Sequence, residues 1–288
     1  MDRISNLPDE ILCHILSFLP TNLAFTTTIL STRWTPLFHS LDFLELVFKD
    51  DATSFNRFCR FVDTLMLSTN KPLKTFHLDC SYGCKKDCNI FNAWLEALIQ
   101  RRVQQLHLNL DRVEVSSKDI PVLQFQNLIH LKVVSRRETR SIYCWWYGTL
   151  DMLRLCPKLQ FFFIEKWRNT GSPEEWKSPI SVVECVSSHL RSCTILNFDG
   201  SANDLSFATY ILKNASLLQD MKIGCTTEGM LLEKPVEYIR LPYCIERPRN
   251  LTAEIVELKK QNGNDSSQGF KLRSASAIAA AILLMLMR

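Results

Sequence analysis

One pattern constrains this 288-residue chain more than any other: an apolar-x-x-apolar-x-apolar template that returns from residue 73 onward. Its copies are Leu73/Phe76/Leu78, Val103/Leu106/Leu108, Leu128/Leu131/Val133, Leu159/Phe162/Ile164, Cys193/Leu196/Phe198 and Leu218/Met221/Ile223. The apolar-x-apolar ending is the period-two signature of a strand with one buried face. Helical candidates lie between copies, at residues 91–99 (FNAWLEALI) and from Asp204 to Leu218. A strand and one helix cannot enclose a core alone, so such units must stack on their neighbours. The expected class is α/β.

The last positions of the copies fall at residues 78, 108, 133, 164, 198 and 223. That spacing lies near the ~20–29 residues usual for leucine-rich repeats, whose strands follow this template. The third position after each strand should often be Asn or Cys, to satisfy a turn. Here it is Ser81, Asp111, Arg136, Trp167, Ser201 and Thr226, so an irregular solenoid is expected.

The first forty residues follow another rule. Ile11, Leu12, Ile15, Leu16 and Leu19 recur at helical spacing, Pro8, Asp9 and Glu10 suit a first turn, and Pro20 stops the helix. A second short helix from about Asn22 to Ser31 and a third begun by Pro36 complete a unit too small to bury its own apolar surface. It packs on the rest of the chain or forms half of an interface. The residues Leu7-Pro8-Asp9-Glu10-Ile11-Leu12, Ile15-Leu16-Ser17-Phe18-Leu19-Pro20, Leu30-Ser31, Arg33-Trp34 and Leu37 closely resemble the F-box. The resemblance implies a three-helix domain that docks on a Skp-type adaptor and through it on a cullin. Leu7, Pro8, Ile11, Ile15, Leu16, Leu30, Ser31, Trp34 and Leu37 would be its contact or supporting residues. Asn22, Leu23 and Thr32 stand where plant relatives commonly carry charges, and Thr26-Thr27-Thr28 is a poor helix former.

Residues 61–84 followed by WLEALIQRRVQQLHLNL resemble the first repeats of plant F-box leucine-rich proteins. Residues 174–226 are similar to the FBD segment that closes many of them, with Val183 at a position usually held by Pro. The expected organisation is an F-box over 1–42, a leucine-rich region over 43–226 and a divergent, partly disordered tail over 227–288. The resemblance implies a substrate-recognition subunit of a Skp–cullin–F-box ubiquitin ligase, in cytoplasm or nucleus. A leucine-rich scaffold or decoy outside any ligase is the alternative. Because strands of a repeat stack line one surface, the outward positions His107, Asn109, Lys132, Glu165, Asn197 and Lys222 are candidate contacts for an unknown protein substrate.

Other classes find little support. The net charge of +4 is spread along the chain, without the clustered Lys and Arg that a nucleic-acid surface needs. The N-terminus lacks a secretory pattern, so eleven cysteines at irregular spacing read as reduced thiols. His77, Cys80, Cys84 and Cys88 lie close together, but their spacing is not that of a zinc site, and no cofactor is expected. No hydrolase, metalloprotease, P-loop or dinucleotide motif occurs, which argues against an enzyme. Trp145-Trp146-Tyr147 reads as core packing or as an exposed partner anchor. Gln261–Gly269 reads as a linker, and the apolar run Ala277–Met287 is shorter than the ~20 residues of a membrane span.

Overall fold

Alternation of apolar and polar residues sets the strands, and the backbone joins them in chain order. The computed structural model describes residues 4, 6–48, 52–80, 88–110, 124–135, 145–166, 175–198, 200–225 and 237–242. The chain is of mixed helix and strand class and divides into two compact units, Met1–Arg136 and Arg137–Arg288.

The first unit opens with helices α1 (Asp9–Ser17), α2 (Thr21–Thr26) and α3 (Trp34–Phe38). Strand β1 (Phe43–Phe48), helix α4 (Ala52–Leu67), β2 (Thr75–Cys80), α5 (Cys88–Gln100), β3 (Gln105–Leu110) and β4 (His130–Ser135) follow. Strands β1 to β4 pair in that order, all parallel. Leu44, Phe76, Leu106 and Leu131 share one buried rung, and Leu46, Leu78, Leu108 and Val133 share the next. Helix α4 covers this face, with Phe55 and Phe58 against Phe48 at ring-centroid distances of 5.4 and 4.9 Å. Trp94 of α5 packs edge-on to Phe58 and donates its indole N–H to Asp63 Oδ1 at 2.7 Å.

Helix α5 ends in a Schellman arrangement: Val103 N–H donates to Leu98 O, and Arg102 N–H to Ile99 O. The motif places Arg102 at φ 56°, a left-handed conformation usually given to glycine. The run Thr26-Thr27-Thr28 behaves as its composition implies. Its hydroxyls bond back to Leu23 O, Ala24 O and Phe25 O at 2.6–2.7 Å, and the α-helix gives way to a 3₁₀ turn over Thr27–Ile29.

In the second unit, α6 (Trp145–Arg154), β5 (Phe161–Glu165), α7 (Glu184–Ser188), β6 (Ser192–Phe198), α8 (Ala202–Asn214) and β7 (Asp220–Cys225) repeat the alternation. Strands β5, β6 and β7 are parallel. Strand β8 (Glu237–Pro242) lies antiparallel to β7, although the sequence reading ends the repeats near residue 226. Residues 227–236 and 243–288, including the linker and the terminal apolar run, lie outside the described residues.

One backbone device recurs at the entry to the strands. The carbonyl of Asp42 accepts from Lys74 N–H and Thr75 N–H, that of Lys74 from Gln104 and Gln105, and that of Gln104 from Ile129 and His130. In the second unit Gln160 O accepts from Arg191 and Ser192, and Arg191 O from Gln219 and Asp220. Each accepting residue directly follows the first apolar residue of a template copy. This corrects the template twice. Leu41/Leu44/Leu46 is an additional copy at the front. The copy in β6 is Leu190/Cys193/Ile195, because Cys193 pairs with Met221 and Ile195 with Ile223. The set Cys193/Leu196/Phe198 also fits the template, but it straddles a register shift between Leu196 and Phe198. Asn197 sits in that bulge at φ 58°.

Candidate protein-interaction surfaces

The N-terminal helices divide their apolar residues into two sets. Leu12, Leu16, Ala24, Leu37 and Phe38 are buried and form the inner set. Phe25 packs edge-on to Phe38 and to Phe61 of α4, at 5.4 and 5.2 Å, and so joins the helices to the sheet layer. Thr21 adds a polar tie, its Oγ1 accepting from Glu45 N–H of β1 at 2.8 Å. Arg33 holds the start of α1: it donates to Asp9 Oδ1 through Nε and Nη2, at 2.9 and 2.6 Å, and to Leu7 O at 2.6 Å.

The outer set is open to solvent. Ile11, Ile15 and Phe18 lie at helical spacing and expose 46%, 41% and 74% of their surface, while Ile29 and Leu30 expose 84% and 69%. Leu19 and Leu23 are exposed as well. So many large apolar side chains left in water within twenty residues is the usual mark of an interaction face. Among the residues read from sequence as adaptor contacts or supports, Pro8, Ile11, Ile15, Leu30 and Ser31 are exposed. Leu7 and Trp34 are half-buried, and Leu16 and Leu37 lie inside. Phe18, Leu19, Leu23 and Ile29 were not among the contacts read from sequence, although Phe18 and Leu19 lie in the motif and Leu23 was noted as a departure; their exposure follows from how the helices pack.

A second surface is the outward face of β1 to β4. Its middle rung is Glu45, His77, His107 and Lys132, in register across the strands. Glu45 Oε1 meets His77 Nδ1 at 3.1 Å, and the His77 and His107 rings lie edge to face at 5.7 Å. Burial, with His77, Lys132 and His130 close by, holds His107 below the ordinary histidine range; burial does the same for His130. The next rung is Val47, Asp79, Asn109 and Val134. Asn109 is buried, whereas Lys132 is exposed. Glu45, His77 and Asp79 were not read as surface contacts, because they lie on the first two strands, whose outward positions were not used; His77 was weighed only as a metal ligand.

In the second unit the residue in line with Lys222 is Thr194. Glu165 is half-buried, and Asn197 Nδ2 donates to Lys166 O at 2.9 Å, which assigns that side chain to the bulge. The core there is polar at one point. Asp204 and Lys166 are buried and paired at 2.8 Å, and Asp204 Oδ1 also accepts from Trp146 Nε1 at 3.0 Å. Trp146 is buried and stacks on Phe207 with centroids 4.0 Å apart, so this member of the aromatic cluster is core. Tyr147 is half-buried, its hydroxyl donating to Glu175 O and accepting from Lys177 N–H. Val183 N–H donates to Tyr210 Oη at 3.0 Å, a bond proline could not make at that position.

Burial pushes the Cys185 and Cys193 thiols up to about 12, and Cys156 is raised by the same cause, so all three stay protonated. Cys84 lies outside the described residues, and among those described no group of three or more His, Cys, Asp or Glu is placed to hold a metal ion. Among them, too, no helix is long and apolar enough to cross a membrane.

Comparison with known proteins bears on both ends of the chain. The F-box domain model matches residues 4–46, and the FBD model matches residues 177–223. The chain carries F-box and FBD matches and is similar to plant F-box/FBD/LRR-repeat proteins. An F-box/LRR-repeat protein of Arabidopsis thaliana is 31% identical over 207 residues, covering 65% of this chain and 32% of that protein. A second is 37% identical over 145 residues, covering 46% and 36%. An F-box/FBD/LRR-repeat protein of the same plant is 42% identical over 113 residues, covering 38% and 24%. The chain thus spans between about a quarter and a third of the length of these relatives. No solved structure matches it. Neither matched model describes a catalytic family, and the exposed apolar set lies wholly within the F-box match.

Proposed function

We propose that this F-box/FBD protein is the substrate-recognition subunit of a Skp–cullin–F-box ubiquitin ligase. The observation that carries the reading is the outer apolar set, Ile11, Ile15, Phe18, Ile29 and Leu30, exposed within the F-box match. An adaptor would bury it, contacting Pro8, Ile11, Ile15, Leu30 and Ser31, with Leu7 and Trp34 at the rim and Leu16 and Leu37 supporting from below. The parallel strands of each unit are read as leucine-rich repeats whose outward faces take the substrate. His107, Lys132, Glu165 and Lys222 are its candidate contacts, with Asn109 and Asn197 as structural members. The Thr21–Glu45 bond and the Phe25–Phe61 packing would then keep the adaptor and the β1–β4 face in fixed relation. This holds a target near a loaded conjugating enzyme and raises its effective concentration, so the subunit needs no acid, base or nucleophile of its own. The compartment is cytoplasm or nucleus.

The test is capture of a Skp-type adaptor by the full chain and by an Ile15→Asp/Leu30→Asp variant. Both side chains are exposed, so the variant should keep the wild-type unfolding midpoint while losing at least about tenfold in affinity, as central interface anchors do. Equal capture by both proteins would refute the assignment of this face. The threonine hydroxyls that end α2 early favour a second reading, a scaffold or decoy outside the ligase. Failure of the wild-type chain to capture any adaptor, with target binding retained, would select it.

A further inference from the structure

The outward face of β1 to β4 carries charge in a set order. Glu45 and Asp79 occupy β1 and β2, while Lys132 stands on β4. Histidines fill the space between; burial, with His77, Lys132 and His130 close by, lowers His107, and burial alone lowers His130. The face is therefore acidic on one side and basic on the other. Asp79 is half-buried, and its Oδ1 is shut from water with no hydrogen-bond donor among the described residues. A carboxylate so placed is costly, and a cation drawn to the half-exposed side of Asp79 would offset part of that cost through its charge. Glu45 lies one strand over and one rung down, about 8 Å away at Cα from strand spacing and rise. Val47, on the same face beside Asp79, exposes 47% of its surface. An aliphatic stem ending in a planar, multiply donating cation suits this trio: the stem on Val47, the head between the two carboxylates.

Resting on the substrate-receptor reading above, we infer that this face takes a protein segment carrying an arginine over Val47, Glu45 and Asp79 and an acidic residue over Lys132. Asp79 and Lys132 are two strands and one rung apart, about 12 Å between Cα atoms by the same geometry. An extended segment rises about 3.3 Å per residue, so the arginine and the acidic residue are about four positions apart.

The test is selection from a phage-displayed library of random nine-residue peptides on the full-length protein, with adaptor capture measured on the same preparations. The expected result is enrichment of Arg over Lys, with Asp or Glu three to five positions away. The Glu45→Gln/Asp79→Asn variant should lose the selected peptides at least tenfold, and Lys132→Glu should reverse the preference at the acidic position. No enrichment, enrichment of any other composition, or retained binding by the double variant overturns the inference. Adaptor capture separates that failure from failure of the ligase reading, because the outer apolar set Ile11, Ile15, Phe18, Ile29 and Leu30 is untouched by these substitutions.

Discussion

Replacing Asp204 with Ala should be among the most damaging single changes in the second unit. Asp204 is 1% exposed, Lys166 is 3% exposed, and their 2.8 Å contact is joined by the 3.0 Å bond from Trp146 Nε1. Removing the carboxylate strands a buried ammonium, which costs about 3–5 kcal/mol, and leaves the indole N–H without this acceptor, about 1–3 kcal/mol more. The two losses overlap, so a total near 4 kcal/mol is expected, a large share of the ~5–15 kcal/mol that holds a domain together. Asp204→Asn keeps an oxygen for Trp146 and should fall between Asp204→Ala and wild type. Asp204→Ala/Lys166→Met removes both charges and should recover most of the loss, because an apolar replacement of a buried pair is often near neutral. The assay is denaturant unfolding followed by circular dichroism and by tryptophan fluorescence, to which Trp146 contributes among six tryptophans. A loss below about 1 kcal/mol for Asp204→Ala, or a double variant as unstable as the single, would refute the reasoning.

Three further outcomes follow from the same geometry. At pH 8 the half-buried Cys13 should alkylate in the native protein, while Cys185 and Cys193, buried and raised to about 12, react only on unfolding; mass spectrometry of the labelled peptides decides it. Arg102→Gly should hold or raise stability by about 0.5–1 kcal/mol, since the residue closes α5 at φ 56°; a clear loss in the unfolding midpoint would contradict the Schellman assignment. His107 sits below the ordinary value of 6.5, so its folded state binds fewer protons than its unfolded state; its contribution is complete above about pH 6.5 and lost as pH falls through the folded value. Between pH 7.5 and 5.5 the wild type should therefore lose more stability than His107→Gln, and equal losses would remove His107 from the account.

Much of this arrangement was open to reading in the chain itself. Apolar alternation placed β2, β3, β4, β5 and β7, because the pleat enforces a period of two whatever the neighbours are. Pro20 marked the stop after α1. The second helix, read to about Ser31, ends instead at Thr26, where the threonine hydroxyls take backbone carbonyls, and the third starts at Trp34 rather than Pro36. Motif spacing marked the F-box and the FBD. Local rules fell short where two answers satisfied the same pattern. Both Leu190/Cys193/Ile195 and Cys193/Leu196/Phe198 fit the template, and only the strand register and the N–H groups that donate to Gln160 O and Arg191 O, contacts between neighbouring repeats, chose the first. Ile11 and Leu12 are adjacent apolar residues of one helix, yet one is 46% exposed and the other fully buried, because α1 turns only one side toward α3. The outward rung of Glu45, His77, His107 and Lys132 joins residues about thirty positions apart, and Asp204 meets Trp146 across 58. Periodicity along a chain fixes which residues want to be inside; pairing between distant segments decides which of them are, and which polar groups are left facing one another.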